Sequence, residues 1–225
     1  MRTFEEIESA IDAVPWDDAR PCARTCREIL SALADDRPLL TAMVERTGRD
    51  PRLLARCESH PIVSRLCLAQ HPGNRWQLRL HVFRDDEKDI VPHDHKYPFA
   101  VHVLAGGYAH AWNRRTGTAQ SGDFASTGIT PALVTLETAH AAYLLSDTLI
   151  HQTVIARGTV TLFLRGPVRQ DRWHAATDML DQLNGFQAPP ADGSAYLGST
   201  PLAREQYDAL THTLAQRGIT RRTTS

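Results

Sequence analysis

Two histidines, His93 and His95, stand two residues apart, after a proline and just before an apolar run. On an extended strand, residues i and i+2 point to the same face, so two imidazoles at this spacing can hold one metal ion from one side. A third ligand must come from elsewhere, and His151, which opens the strand-like run HQTVIARGTVTLFLRGP, is our candidate. The alternative is a polar turn whose rings meet water. We predict a metal site made of His93, His95 and His151.

Three neutral imidazoles would bind a divalent first-row metal, and Fe(II), Ni, Cu and Zn all accept such ligands. An ion held by only three side chains keeps coordination positions open for a substrate and for dioxygen. Because the ligands carry no charge, the site keeps the full charge of the ion, which favours an anionic substrate donor such as a thiolate or a carboxylate. His140, which precedes His151 in the chain, is a rival for the third ligand position.

The segment around the histidine pair resembles the first motif of the cupin superfamily. In that motif a His-x-His pair is followed by an acidic residue and then by a glycine at the next strand turn, and here Gly106 and Gly107 stand at the right distance. Phe99 and Ala100 occupy the two places that the acidic ligand takes, which points to a three-histidine site. The resemblance implies an antiparallel β-barrel (a double-stranded β-helix, or jelly roll), a fold that hosts many chemistries.

A longer stretch is similar to the cysteine dioxygenase family, the thiol dioxygenases among the cupins. The string YLLSDTLIHQTVIARGTVTLFLRGP resembles that family's second-motif region, and Arg65 falls about where the family keeps the arginine that grips the substrate carboxylate. The resemblance implies Fe(II) as cofactor and dioxygen as co-substrate. Two of the family's features are absent, namely the tyrosine near the bound oxygen and the cross-linking cysteine, so oxidation of cysteine itself is in doubt.

The closing strand carries candidates for catalysis and substrate binding. Matching its inward positions to the thiol dioxygenases gives Thr161, Phe163 and Arg165, of which Thr161 keeps the family's hydroxyl. Arg165, if inward, offers a bidentate clamp for a carboxylate. Arg65 and Arg79 compete with it for that role, and a surface salt bridge is the alternative for each of the three.

Other polar residues extend this set. We expect Ala100 and His102 to line the cavity, with His102 as a proton carrier or as a donor behind the ligands, unless it is a hydrogen-bonded core histidine. Tyr143, on the strand before His151, is a further candidate for substrate binding. The remaining histidines outside this context are expected at the surface or in loops: His60, His71, His110, His174 and His212.

Hydrophobic periodicity indicates the elements that must position these residues. Apolar residues recur at helical spacing through residues 1–59, whereas residues 60–168 show about eight or nine short strands with no helix among them, which is typical of an antiparallel sandwich or barrel. Helical patterns return in residues 169–225. We predict one mainly β domain, a cupin-type barrel over 60–168 with N-terminal helices packed on its outside and a C-terminal helical extension. The charged run Arg84–Asp89 is expected to be a solvated loop.

Composition limits the classes of function. The 225 residues are 42% hydrophobic and 23% charged, as is ordinary for a globular protein, and the net charge of −1 gives no sign of a nucleic-acid or acidic-membrane partner. No apolar run approaches the roughly 20 residues of a transmembrane helix. The N-terminus, MRTFEEIESAIDAV, is amphipathic and acidic, unlike a signal peptide, so we expect a cytoplasmic protein.

The leading hypothesis is a non-haem Fe(II)-dependent cupin oxygenase that acts with dioxygen on a small carboxylate-bearing metabolite, either a thiol or an amino acid. One alternative is a metallo-cupin in which Ni, Mn or Zn supports isomerisation, lyase chemistry or decarboxylation. Another is a non-catalytic cupin that binds a small ligand. Cupins commonly pair through barrel edges, so a homodimer is compatible with each hypothesis.

Overall fold

The computed structural model describes residues 3–60, 63–84, 87–118, 121–179 and 199–221, and only the backbone of residues 87–90. The helices are α1 (Phe4–Asp12), α2 (Ala19–Asp35), α3 (Arg37–Arg49), α4 (Pro51–Leu54) and α5 (Arg204–Gln216). The strands are β1 (Glu58–Ser59), β2 (Val63–Gln70), β3 (Gln77–Phe83), β4 (Glu87–His93), β5 (Phe99–Ala105), β6 (Gly107–Arg115), β7 (Ile129–Thr138), β8 (Ala142–Leu145), β9 (Ile150–Ile155), β10 (Val160–Arg165) and β11 (Thr200–Pro201). None of the described helices is long and apolar enough to cross a membrane.

The strands form two sheets in which every described pair is antiparallel. One sheet has the order β11-β1-β2-β3-β10-β5-β8 and the other the order β4-β9-β6-β7. The prediction of a mainly β, antiparallel fold with helices is confirmed. The turn between β9 and β10 contains Gly158 at φ +76°, a left-handed conformation that glycine adopts at no steric cost.

The helical ends have local sequence causes. Thr3 and Glu6 form a capping box at the start of α1: the Thr3 hydroxyl accepts the Glu6 N–H at 3.2 Å, and the Glu6 carboxylate accepts the Thr3 N–H at 2.8 Å. Asp36 and Asp50 accept backbone N–H groups at the starts of α3 and α4, at 3.0 and 2.8 Å. These caps hold the helices that cover the larger sheet.

The main core lies between the N-terminal helices and the outer face of the larger sheet. On β3, Leu78 and Leu80 are fully buried in this core, whereas the alternate side chains Arg79 and His81 line a cavity on the other face. The period of two along the strand therefore separates a helix-covered apolar face from a polar inner face. The same division orders β10, where Leu162 belongs to the core.

Two expectations need correction. The charged run Arg84–Asp89 is not a loop throughout, because strand β4 begins at Glu87, which pairs with Ile155 of β9. Hydrogen bonding to a neighbouring strand outweighs the poor strand propensity of charged residues. In the predicted C-terminal helical extension, β11 pairs with β1 before α5 begins. Residues 180–198 and 222–225 of that extension lie outside the described residues.

Candidate metal centre

The three predicted ligands lie together. One ligand nitrogen from each of His93, His95 and His151 falls within 4.8 Å of the other two. His93, the last residue of β4, is the direct antiparallel partner of His151 on β9, and His95 follows in the turn after β4. This cross-strand pairing brings together residues that are far apart in the sequence.

The ring nitrogens are oriented by their outer contacts. The Nδ1 atom of His93 lies 2.9 Å from the Val91 carbonyl, which can only accept, so Nδ1 carries the proton and Nε2 carries the lone pair. The Nε2 atoms of His95 and His151 lie 2.7 Å apart. Two imidazole nitrogens at this distance must share either a proton or a cation.

The donor set fits a divalent ion. Two imidazole nitrogens bound to one metal at about 2.1 Å lie roughly 3–4 Å apart, so small shifts would place these nitrogens around a common centre. Burial, followed by the neighbouring His93, holds the pKa of both His95 and His151 well below its ordinary value. Both rings are therefore neutral near pH 7, as a metal ligand must be.

The turn that carries His93 and His95 is fastened from outside. Asp94, between them in sequence, is fully buried and accepts the backbone N–H of His174 at 2.7 Å. Gln170 donates to the carbonyl of His95 at 2.9 Å. These contacts fix the backbone of both ligands, which reduces the entropy lost when an ion is bound.

The histidines open into a cavity of about 310 Å³ between the two sheets. The larger sheet contributes Arg65, Arg79 and Thr161, and the smaller sheet contributes His151. The side chains that complete its lining include His60, Val63, His81, Phe83, Phe99, Val101, Tyr108, Tyr143, Thr153, Ile155, Phe163 and Trp173. The volume suits a small metabolite.

A row of three polar residues crosses the cavity wall. Arg65 on β2 faces His81 on β3, and His81 faces Thr161 on β10, in direct register. Arg65 Nε and His81 Nε2 are buried without a hydrogen-bond partner among the described residues. Burial, then Arg65 and Arg79, holds the pKa of His81 well below its ordinary value, so the ring is neutral. Buried polar atoms without a partner, such as Arg65 Nε and His81 Nε2, favour binding of a small molecule that carries a polar group.

The charge of this wall is positive. Glu58 Oε2 lies 3.0 Å from Arg65 and 3.4 Å from Arg79, so one carboxylate serves two guanidinium groups. One positive charge is left over in this group of three. A single substrate carboxylate would balance it.

Aromatic rings connect this polar row to the ligands. The Phe99 ring packs against His95 at 4.6 Å between centroids and against Phe163 at 4.7 Å. Phe163 in turn stacks on His81 at 4.5 Å. An apolar wall two rings long therefore separates the histidine group from the Arg65 row.

Tyr143, a predicted substrate-binding residue, lines the cavity. Its hydroxyl lies 2.7 Å from that of Tyr108. Burial raises the pKa of both phenols, so each keeps its proton near neutral pH. The pair can donate one hydrogen bond into the cavity while sharing the other proton.

The expectation that Ala100 and His102 line the cavity is wrong. His102 Nδ1 lies 3.3 Å from the Ser31 hydroxyl of α2, and Ala100 packs in the helix-covered core. The inward and outward alternation of side chains does not continue from His95 through the turn into β5. The apolar face of α2 determines which side chains of β5 face the helices. Phe99 and Val101, instead of the residues beside them, face the cavity.

Arg165 is engaged away from the cavity. Its guanidinium donates to the carbonyl and to the side-chain oxygen of Asn74 at 3.0 and 2.5 Å, and stacks over Tyr97. Arg165 is not among the described residues that line the cavity, whereas Arg65 and Arg79 are. His140, the rival ligand, is exposed with φ +73° and lies outside the histidine group.

Three histidines expected at the surface or in loops are buried: His60 and His174, which do lie outside helices and strands, and His110, which lies in β6. His60 lines the cavity, and His110 contacts His151 from behind. The alternation Tyr108-x-His110-x-Trp112 on a predicted strand was the signal for His110, because it puts the imidazole on the same face as two aromatic rings.

Comparison with known proteins gives partial matches. No protein-family model and no curated protein matches the sequence. Among solved structures, KdgF from Halomonas sp. is similar at 15% identity over 48% of this chain and 83% of that chain, with a TM-score of 0.34. An RmlC-like cupin from Shewanella frigidimarina gives 16% identity over 48% and 79%, with a TM-score of 0.35. Streptomyces albus HEPD, with 2-hydroxyethylphosphonate and Fe(II) bound, gives 14% identity over 62% and 29%, with a TM-score of 0.37.

Proposed function

We propose that this chain is a cupin-type, non-haem Fe(II)-dependent oxygenase of the cytoplasm, which uses dioxygen to oxidise a small carboxylate-bearing thiol or amino acid. The observation that carries the proposal is the convergence of His93, His95 and His151 on one wall of a cavity that also exposes Arg65 and Arg79. The cavity thus combines a neutral metal-binding donor set with a cationic site for the substrate.

The three histidines would hold Fe(II) through their ring nitrogens. Bound there, Fe(II) would supply the one-electron chemistry that lets dioxygen react with a closed-shell substrate. His93 is pre-oriented by its hydrogen bond to Val91, and His151 by its contact with His110. Because these contacts exist in the folded chain, binding an ion requires little rearrangement.

Substrate binding falls to the Arg65 row. Arg65 pairs with the substrate carboxylate, and the orphan Nε of Arg65 gains a partner in doing so. His81 Nε2 and the Thr161 hydroxyl offer further hydrogen bonds beside it. A carboxylate held there directs the other end of the substrate along Phe99 and Phe163 towards the histidines.

The remaining walls exclude water and offer a hydrogen-bond donor. The Phe99 and Phe163 rings keep the space between carboxylate and histidines apolar, which strengthens the electrostatic interactions within it. Tyr143 retains its proton on the phenolic oxygen and can donate a hydrogen bond to a substrate atom. The absent family tyrosine therefore has a candidate substitute on a different strand.

The proposal is tested by oxygen uptake. Metal-free protein is loaded anaerobically with Fe(II), and oxygen consumption is followed with a panel of small thiols and amino acids. The same protein loaded with Zn(II), which binds imidazoles but has no redox chemistry, is the matched control. Substrate-dependent uptake with Fe(II) alone supports the proposal. Absence of uptake across the panel, with turnover of a substrate under Zn, Ni or Mn, would replace it with a non-oxidative metallo-cupin.

A further inference from the structure

His110 sits directly behind the ligand His151 on the smaller sheet. It is fully buried on β6, with its ring stacked on Trp112 at 4.0 Å between centroids and packed against Tyr143 at 4.9 Å. Its Nε2 atom lies 2.8 Å from Nδ1 of His151. The packing of Trp112 and Tyr143 against the His110 ring orients its Nε2 atom towards His151.

The direction of this hydrogen bond follows from the site in front of it. If an ion binds between Nε2 of His151 and Nε2 of His95, both atoms must present a lone pair, and the proton of His151 then resides on Nδ1. Nδ1 therefore donates to Nε2 of His110, which must accept. His110 then carries its own proton on Nδ1.

A carboxylate faces that second proton. Nδ1 of His110 lies 3.8 Å from Oε1 of Glu137, which is itself largely buried. This distance is longer than a hydrogen bond, and Nδ1 has no hydrogen-bond partner among the described residues, so the carboxylate acts on the imidazole through its charge. The same Oε1 accepts from the Thr135 hydroxyl at 2.5 Å, and that hydroxyl accepts from the Trp112 indole N–H at 2.9 Å. The tryptophan that stacks on His110 thus also fixes the carboxylate.

We infer that His110 and Glu137 are positioning residues that lock His151 in the Nδ1-protonated tautomer and raise its donor strength towards a metal ion. This inference rests on the proposed metal site. In the cupin motif an acidic ligand stands where this sequence has Phe99 or Ala100, and Glu137 would supply a carboxylate behind the histidines instead. The negative charge of Glu137 is separated from the proposed ligand His151 by one residue, His110. With an ion bound at His151, the effect of this charge would reach the ion through the rings of His110 and His151.

Metal affinity tests the inference without any turnover. Metal-free protein is titrated with Co(II), and the visible d–d absorption gives both the dissociation constant and the ligand field. His110→Phe keeps an aromatic ring at this position but removes the acceptor, and we expect it to weaken Co(II) binding about 10- to 100-fold and to shift the bands. His110→Gln places an amide oxygen near the position of Nε2 and should stay within about three-fold of the unsubstituted protein.

Two further variants separate hydrogen bonding from packing. His110→Asn puts its amide oxygen near the position of Nδ1, too short to reach His151, and should lose affinity where His110→Gln does not. Glu137→Gln keeps the acceptor for Thr135 but removes the charge, and we expect a loss of about three- to ten-fold. Asn113→Ala, at another buried polar residue of β6, is the control and should bind Co(II) as the unsubstituted protein does.

The outcomes are distinct from those of the oxygen-uptake test. Equal Co(II) affinity and spectra in His110→Phe would overturn the inference, as would equal losses in His110→Gln and His110→Asn, since that pattern indicates packing alone. Thermal unfolding of the metal-free variants checks that each is folded. If His110→Phe does not fold, the comparison of His110→Gln with His110→Asn tests the inference in its place. Intact Co(II) binding without oxygen uptake would count against the oxygenase and leave the positioning role standing.

Discussion

Arg115 and Asp94 form a buried ion pair directly behind the ligand turn. The Arg115 guanidinium donates to Oδ2 of Asp94 at 2.9 Å, and the carboxylate is wholly excluded from solvent. The Arg115 guanidinium also stacks over Phe124 at 4.7 Å. Asp94 thus separates two proposed metal ligands, His93 and His95, in sequence, while its own charge anchors the turn.

Replacing Asp94 by Asn should destabilise the protein strongly. Removing one member of a buried pair leaves the other charge uncompensated, at a typical cost of about 3–5 kcal/mol. Urea unfolding of the metal-free protein measures the change. Asp123→Asn is the matched control, because its pair with Arg172 is exposed on both sides and should be worth less than about 1 kcal/mol. Similar losses in the two variants would contradict the anchoring role.

Substitution of any one of His93, His95 or His151 by Ala should abolish metal retention. Even residues behind a ligand change affinity about 10- to 100-fold, so loss of a ligand itself should exceed about 100-fold. Elemental analysis after dialysis against a weak chelator provides the measurement. His140→Asn, at a positive φ that asparagine tolerates, should retain the metal. Metal retention in His151→Ala with loss in His140→Asn would reassign the third ligand.

Arg65→Gln should raise KM about 10- to 100-fold and alter kcat less, because a charge-assisted hydrogen bond to a substrate carboxylate is worth roughly 1.5–3 kcal/mol. Steady-state oxygen uptake with the best substrate of the panel measures both constants. Arg75→Gln, an exposed arginine outside the cavity, is the control. The methyl ester of the substrate should be a poor substrate for the unsubstituted protein. An ester oxidised as well as the acid would show that no arginine binds the carboxylate.

Acid should destabilise the fold through buried neutral histidines. Burial, followed by Arg65, lowers the pKa of His60 to about 4. The unfolded chain then binds more protons than the folded one between about pH 6.5 and pH 4, so this stability is present above pH 6.5 and is lost as the pH falls through that window. The contribution is at most about 3 kcal/mol.

Urea unfolding of the metal-free protein from pH 7 to pH 4 measures this loss, and His60→Gln should flatten the slope. His81, whose pKa is also held low by burial and by Arg65, should leave a residual slope in that variant. An unchanged slope in His60→Gln would contradict the assignment.

Much of the strand pattern was accessible from the sequence. About eight or nine short strands were expected over residues 60–168, and nine of the described strands, β2 to β10, lie there. The grouping of His93, His95 and His151 was accessible too, because the i, i+2 spacing and the opening of the last hairpin are local features. Their pairing across β4 and β9 turns these local signals into one site.

The sequence did not reveal which residues of β5 face the cavity and which face the helices. Both faces of that strand are buried, one by α2 and one by the cavity, so residues on either face look alike in the sequence. His102 was therefore assigned to the wrong face. Arg165 was misjudged for a different reason: its contact with Asn74 joins a strand to a distant loop, and no local pattern signals such a contact.

The most direct test of the central claim is a titration of substrate-dependent oxygen uptake against bound Fe(II). If His93, His95 and His151 hold the functional ion, uptake should rise linearly, reach a plateau at one Fe(II) per chain, and be absent at every Fe(II) concentration in His151→Ala. Uptake that continues to rise beyond one equivalent, or that persists in His151→Ala, would contradict the claim. So would full occupancy by Fe(II) without uptake.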